Sequence, residues 1–446
     1  MSPHIPVLFD ATSLPSNWGG VARYIQGVLA GLDQLGVHLH VVAKPGDLER
    51  LRQDAPGHAY HAGPASLTAR PVRFAWEQLG LPRLARRLGV TAIHSPHYTL
   101  PLVSRAARVV TLHDATFFTD PEVHSRLKRT FFTWWTRRAA HRAAALLAPS
   151  AATADAVRAS VRTVRPEILV AYLGVDPEVF HEPTAEQIAS FAAAHGLEVA
   201  DGRAGDADGT DGTGGTGSTG GAGWIGFLGT IEPRKNIPAL LRAHALLRER
   251  AARAGAGPVP PLVLSGSRGW DDEAARMLDA LGPADGVIEA GYLPLDELPA
   301  FLGGATVVAY PSLGEGFGLP VLEAMSCGAT VLTTRRLSIP EVGGDAVRYS
   351  EPGAEAIADA LAALIAEPPA ARRALGDAAA TRAASFTWAA CAAVHVEAYR
   401  LAGVSGITPT PAGPQSTGAP AATSTPASST AGTSAAPAAP TPEATA

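Results

Sequence analysis

Residues 305–335, ATVVAYPSLGEGFGLPVLEAMSCGATVLTTR, decide the fold. An apolar, β-branched run (305–312) leads into the loop LGEGFG (313–318). A helix, PVLEAMSC (320–327), follows, with Pro320 suited to its first position and Gly328 to its stop. A second β-rich run (329–335) closes the unit. Strand, helix and strand in this order read as two parallel strands joined by a crossover helix. Glu315 then stands in the loop, and Glu323 faces out near the first helical turn, where the macrodipole favours its charge.

The same alternation extends in both directions. Upstream come a strand at 224–230, a helix at 236–253, a strand at 261–267, a helix at 271–281, a strand at 287–293 and a helix at 295–303. The first half has its own set of strands, at 5–12, 37–43, 91–95, 107–114, 145–150 and 167–174. Its first helix (19–36) carries apolar residues at Val21, Tyr24, Ile25, Val28, Leu29 and Leu32. Apolar strands alternating with helices imply parallel sheets covered on both faces. The fold class is therefore α/β, with two Rossmann-like doubly wound domains in tandem. The boundaries are 1–180 for the first domain, 181–223 for a linker and 224–387 for the second domain. Within the linker, 201–223 is a Gly/Thr-rich insertion, and 404–446 is an Ala/Pro/Ser/Thr tail expected to be disordered. GTGGTG (212–217) matches a dinucleotide fingerprint, but no strand precedes it and no helix follows. Its neighbouring aspartates lack the spacing of a calcium loop.

The 446 residues are 46% hydrophobic and 17% charged, enough to bury two cores. A net charge of −5 argues against a nucleic-acid binder. Two cysteines, Cys327 and Cys391, form neither a disulfide framework nor a zinc site, and fit a reducing cytoplasm. The start, MSPHIPVLFDATSL, lacks the basic and apolar regions of a signal peptide, and no run is long enough to span a membrane.

Several stretches can carry chemistry. In GTIEPRKN (229–236) a strand end meets a helix that Asn236 would cap, with Pro238 in the first turn. Arg234 and Lys235 therefore lie beside a helix N-terminus, which is already positive. Either they are a solvated pair, or an anion such as phosphate sits among them. Around the two glutamates, Gly314, Gly316 and Gly318 let backbone N–H groups approach a ligand. Glycine amides suit phosphate and carboxylates suit hydroxyls, which together describe a site for a sugar joined to a diphosphate. The plainer alternative is one capping and one surface glutamate.

His113 and Asp114 end an apolar strand, where open α/β sheets place ligands, and His113 could donate to a sugar hydroxyl or act near a reacting oxygen. HSPH (94–97) has no partner set for a metal. Gly19 and Gly20 mark the first strand–helix junction. The segment 126–142, RLKRTFFTWWTRRAAHR, suits either a membrane surface or a helix packing its aromatics inward, and packing is favoured.

These pieces in this order resemble the family-4 retaining glycosyltransferases of the GT-B fold, two such domains around a cleft. The resemblance rests on GGVARY (19–24), VVTLHD (109–114), APS (148–150), YLGVDPEVF (172–180), GTIEPRKN, GYLPLDELPAFL (291–302) and PSLGEGFGLPVLEAMSCG (311–328). SIPEVGGDAVRY (338–349) and FTW (386–388) continue it, over roughly residues 5 to 400. Glu315 and Glu323 match the family's paired-glutamate signature.

The resemblance implies that Glu315 contacts the donor sugar hydroxyls and Glu323 the nucleotide ribose. Arg234 and Lys235 would hold the diphosphate and stabilise the leaving nucleotide. Gly316, Phe317 and Gly318 would offer backbone contacts, and Gly19 and Gly20 would approach the diphosphate from the first domain. His113 would touch the donor sugar near the acceptor, and Tyr292 and Leu293 would border the base. Gly229, Thr230 and Leu319 complete the implied donor set. His113, Arg234, Lys235 and Glu315 form the implied catalytic set. No metal is expected. A last helix (388–403) would cross back onto the first domain.

The expected activity is retaining transfer of a hexose from a nucleotide-diphosphate sugar to an acceptor hydroxyl. Mannose, with GDP-mannose as donor, is favoured, in envelope polysaccharide or glycolipid synthesis. A sugar or lipid-linked acceptor and a cytoplasmic location go with it, and peripheral contact with the inner membrane surface is compatible. The rivals are a sugar-nucleotide epimerase, a glycosidase using the two glutamates, and an inactive nucleotide-sugar binder.

Overall fold

The structure, a computed structural model, describes residues 4–15, 19–121, 125–199 and 223–409. The Gly/Thr-rich insertion and the tail lie outside the described residues, except for Gly223 and residues 404–409.

Seven strands make the first sheet: β1 (Val7–Asp10), β2 (His40–Ala43), β3 (Ala59–Ala62), β4 (Ala92–Ser95), β5 (Ala107–Thr111), β6 (Ala145–Ala148) and β7 (Ile168–Val170). Six make the second: β8 (Ile225–Leu228), β9 (Leu262–Ser265), β10 (Val287–Gly291), β11 (Val307–Tyr310), β12 (Val331–Thr334) and β13 (Arg348–Ser350). The orders are β3-β2-β1-β4-β5-β6-β7 and β10-β9-β8-β11-β12-β13, with every pairing parallel. Residues of β1, β4, β6, β9, β11 and β12 are buried throughout, as strands covered on both faces must be. The strands β3 and β13 have no counterpart in the sequence reading. Both are edge strands with polar, partly exposed residues such as His61 and Arg348, so neither shows an apolar run.

Each sheet reverses its winding once, between β1 and β4 in the first and between β8 and β11 in the second. Crevices at the carboxyl ends of such strand pairs are where doubly wound sheets hold ligands.

Helix Trp388–Leu401 returns to the first sheet and packs along helix Gly20–Gln34. Glycines make room for Trp388: a Cβ at Gly27 would stand 2.1 Å from its ring, and one at Gly174 2.2 Å from its backbone nitrogen. Beneath this contact the Tyr24 hydroxyl meets Thr111 Oγ1 at 2.7 Å and His395 Nε2 at 2.8 Å. His94 joins the same buried network through Thr111 (3.0 Å) and Tyr399 (2.9 Å). Burial drives both histidines towards the neutral form.

Helix Arg126–Arg142 buries Trp135 and half-buries Phe131 and Phe132 against Phe74 and Tyr98, while its arginines stay exposed. Among the described residues no helix is long and apolar enough to cross a membrane.

Candidate functional site

The strand β8 ends in a loop in which Gly229 (φ 150°) and Asn236 (φ 60°) both have positive φ. Between them Pro233–Lys235 form a single 3-10 turn. Asn236 stands at the start of helix Ile237–Ala254, but its side chain does not cap it, contrary to the sequence reading. Its amide instead donates to the carbonyls of Pro311 (3.3 Å) and Pro352 (2.8 Å), tying this loop to the chain after β11.

That tie brings Arg234 and Lys235 onto Glu315. Lys235 Nζ lies 2.6 Å from Glu315 Oε1, and Arg234 pairs with the other carboxylate oxygen while its Nε meets Glu232 at 2.6 Å. The hydroxyls of Ser312 (2.7 Å) and Tyr310 (3.0 Å) donate to Glu315 Oε1 as well. Burial pushes the Glu315 carboxyl up, but Arg234 and Lys235 outweigh it and hold it at about 2. Burial and the neighbouring Arg234 pull the Lys235 ammonium below its ordinary range, against the pull of Glu315. Solvated side chains would not be arranged so. Lys235 and Glu315 are buried and Arg234 is partly buried, and the three form one unit at the switch point between β8 and β11.

The loop 313–318 is pinned from behind. Leu313 N donates to the Arg234 carbonyl at 2.7 Å, and Ser338 Oγ donates to the carbonyls of Glu315 (2.8 Å) and Phe317 (3.0 Å). Gly318 takes φ 104°, a left-handed conformation that favours glycine, at the start of helix Leu319–Ser326. Pro320 is thus the second residue of that helix rather than the first. The amides of Gly316, Phe317, Gly318 and Leu319 have no acceptor among the described residues, which leaves donors at a helix N-terminus.

Glu323 corrects the sequence reading: it faces inward and is only 1% exposed. Its Oε1 pairs with Arg23 of helix Gly20–Gln34, while Oε2 has no partner among the described residues. Burial raises its carboxyl, with Arg23 working against that. The helix start faces the first domain, so a polar position there meets protein instead of water.

The first domain supplies the opposite wall. A Cβ at Gly316 would stand 1.8 Å from the His113 carbonyl oxygen, so the absent side chain admits the other domain's backbone. Ser150 Oγ (2.6 Å) and Thr153 Oγ1 (3.1 Å) donate to the Gly316 carbonyl. The Glu341 carboxylate accepts from the amides of Ala151 (2.7 Å) and Ala152 (2.8 Å) at a helix start.

His113 Nε2 donates to the Pro96 carbonyl at 2.7 Å. Burial lowers its pKa, which leaves a neutral ring whose Nδ1 is an acceptor. Its free ring nitrogen is therefore placed to accept a hydrogen bond, not to donate one as the sequence reading allowed. Gly20 has no described heavy atom within 4 Å of where a Cβ would stand. Thr230 is half-buried beside Gly229. Tyr292 is 69% exposed and Leu293 is buried. Among the described residues no group of three or more His, Cys, Asp or Glu is placed to hold a metal ion.

The sequence reading missed Arg23, Glu232, Tyr310 and Ser312. Arg23 carried a usable signal, because it is a cation in the first turn of a helix, the same anomaly that singled out Arg234 and Lys235. Tyr310 and Ser312 end an apolar strand, where polar residues point into the crevice. Nothing in the local pattern marks Glu232.

Two family models match the chain: Glycosyltransferase Family 4 over residues 18–179 and Glycosyl transferases group 1 over residues 216–382. The O-antigen chain mannosyltransferase B of Escherichia coli is 40% identical over 182 residues, 39% of this chain and 44% of that protein. A D-inositol 3-phosphate glycosyltransferase of Arthrobacter sp. (strain FB24) is 33% identical over 175 residues, 39% of this chain and 41% of that protein. The chain thus spans less than half the length of these curated relatives. Among solved structures, sucrose-phosphate synthase from Thermosynechococcus elongatus superposes with a TM-score of 0.66 at 19% identity, covering 88% of this chain and 98% of that one. Anabaena HepE, solved with UDP and glucose, gives 0.65 at 17% identity, covering 89% and 100%. Both similarities are of fold, and the two facing parallel sheets are the GT-B arrangement.

Proposed function

The chain belongs to the group 1, family-4 glycosyltransferases, and from that premise we propose that it transfers a hexosyl group from a nucleotide-diphosphate sugar to an acceptor hydroxyl. One observation carries the reading: Arg234, Lys235 and Glu315 converge at the switch point of the second sheet, on a loop whose Gly316 meets the His113 backbone of the first domain.

In this reaction the bond from the anomeric carbon to the distal phosphate breaks, and its electron pair stays on the phosphate oxygen. The acceptor oxygen bonds to the anomeric carbon from the same face, and the acceptor proton passes to the leaving phosphate. Arg234, Lys235 and the free amides of 316–319 meet the charge that develops there, a role worth about 10²–10³ in rate per donor. Glu315 accepts from sugar hydroxyls, Glu323 from ribose hydroxyls, and the His113 Nδ1 from a hydroxyl near the acceptor. Gly19, Gly229, Thr230, Tyr292, Leu293, Phe317, Gly318 and Leu319 would line the donor. No metal ion is part of the scheme.

Mannose is the favoured sugar and GDP-mannose the favoured donor, supported by the name of the E. coli relative. The acceptor is a sugar or lipid-linked sugar of envelope synthesis, met at the cytoplasmic face of the membrane. The glycosidase alternative needs two carboxylates free to serve as acid and nucleophile. Under that alternative Arg234 and Lys235 would have no diphosphate to hold, although both converge on Glu315.

Thermal-shift measurements with GDP-, UDP- and ADP-sugars test the reading. Stabilisation by GDP-mannose, and by GDP itself, is expected. Stabilisation by UDP-sugars alone would overturn the donor assignment, and no response to any nucleotide would overturn the site.

A further inference from the structure

We propose that Arg23 is a third cation of the donor site, supplied by the first domain. It pairs with Glu323 until a nucleotide diphosphate enters, then passes to the phosphates while Glu323 turns to the ribose. The proposal rests on the donor-site reading above and adds to it a residue and an order of events.

Arg23 sits in the first turn of helix Gly20–Gln34, which has no acidic residue in that turn and no side-chain cap. Its own amide is bonded to the Gly19 carbonyl at 3.0 Å, and the amides of Gly20 to Ala22 precede it at the positive end. A guanidinium there is opposed by the helix dipole, whereas an anion is drawn to both. The backbone at Gly20 is open, as the absence of described atoms near its Cβ position shows.

The partner of Arg23 is not a satisfied structural carboxylate. Glu323 is 1% exposed, and its second oxygen lacks any donor among the described residues. A buried carboxylate oxygen in that state calls for a donor from outside the chain, either water or the O–H group of a ligand. Ribose hydroxyls are such donors, and as they take up Glu323 the guanidinium loses its competitor.

The charges then balance across the cleft. Arg23 pairs with Glu323, Lys235 acts on both Glu323 and Glu315, and Arg234 pairs with Glu315 and Glu232. Three cations meet three carboxylates, so nothing is left to neutralise a diphosphate unless carboxylates shift to hydroxyls. Arg23 is the member of this chain that comes from the first domain. Its transfer to the phosphates therefore ties donor binding to closure of the cleft. The ring of Phe180, 5.4 Å from the guanidinium, supports the side chain from the first-domain side.

Titration calorimetry on the full chain tests this, using a nucleoside and its diphosphate with the base chosen by the thermal-shift panel. Arg23→Ala is expected to weaken diphosphate binding about 10- to 100-fold, as loss of a hydrogen bond between charged groups does. Nucleoside binding should change little, and Arg23→Lys should recover part of the loss. Glu323→Gln should weaken nucleoside and diphosphate alike. If Arg23→Ala leaves diphosphate affinity intact, or weakens both ligands equally, Arg23 is only a tether between domains and the proposal fails. If the unmodified chain binds no nucleoside diphosphate, the donor-site reading itself fails first, and that result is distinct.

Discussion

Replacing Lys235 by methionine separates its role in holding the fold from the role proposed for it in the reaction. The ammonium is buried, 2.6 Å from Glu315 and against the Tyr310 hydroxyl. A carboxylate stranded alone in the interior costs about 3–5 kcal/mol. Glu315 would not be stranded, because Arg234 and the hydroxyls of Ser312 and Tyr310 remain. The expected cost is that of one hydrogen bond to a charged group, about 1.5–3 kcal/mol. Glu315 should also titrate above its present value of about 2, since one of the two cations that oppose burial is gone. A carboxyl held low stabilises the fold above its ordinary pKa and loses that contribution as pH falls through its folded value. Acid unfolding of K235M should therefore begin at higher pH. Adding Glu315→Gln removes the unbalanced charge and should recover much of the stability, with Arg234 still held by Glu232.

Turnover should behave differently. It should fall about 10²–10³-fold in K235M, where the charge proposed to face the leaving phosphate is missing, and stay down in the double variant, which lacks the Glu315 carboxylate proposed for the sugar hydroxyls as well. Urea unfolding and nucleotide release measured on the same preparations decide it. Turnover that recovers with stability in the double variant, or K235M turnover within about threefold of the parent, would refute the assignment of Lys235 to the leaving group.

Gly316→Ala should hold the domains apart, because its Cβ would meet the His113 carbonyl at 1.8 Å. Each domain stays folded, turnover falls by more than about tenfold, and small-angle scattering reports a larger radius; an unchanged radius with full turnover speaks against closure through this contact. Gly27→Ala sets a methyl 2.1 Å from the Trp388 ring. It should lower stability by about 1–3 kcal/mol, the cost of overpacking, read as a lower urea midpoint.

Glu77, paired with Arg73 at 3.0 Å and Thr99 at 2.7 Å, is raised by burial from an ordinary 4.5 to about 7. Its contribution is complete below 4.5 and is lost as pH rises through about 7, at most about 3.5 kcal/mol at about 1.4 kcal/mol per pH unit. Glu77→Gln should therefore gain stability relative to the parent between pH 5 and pH 8.5, and parallel urea curves across that range would contradict the shift.

The fold was legible because strands such as Val307–Tyr310 and Val331–Thr334 are buried on both faces and so are apolar throughout. The edge strands Ala59–Ala62 and Arg348–Ser350 were not, since their polar, partly exposed residues blur the apolar run. The cations Arg234 and Lys235 showed themselves by an unfavourable position, and the same test applied to Arg23 would have found it. Glu323 was misread for a physical reason. A polar residue on an eight-residue helix normally points to water, yet this helix start faces the other domain. Pairings across the cleft, such as Glu341 with the amides of Ala151 and Ala152, depend on how two separately folded units meet, and no local pattern encodes that.

The central claim is tested most directly by mass spectrometry of the chain incubated with a nucleotide-sugar donor and a panel of saccharide acceptors. The account predicts that one acceptor gains a single hexose for each nucleoside diphosphate released. Nucleoside diphosphate released with no acceptor gaining mass, or a rearranged sugar nucleotide in its place, would contradict it.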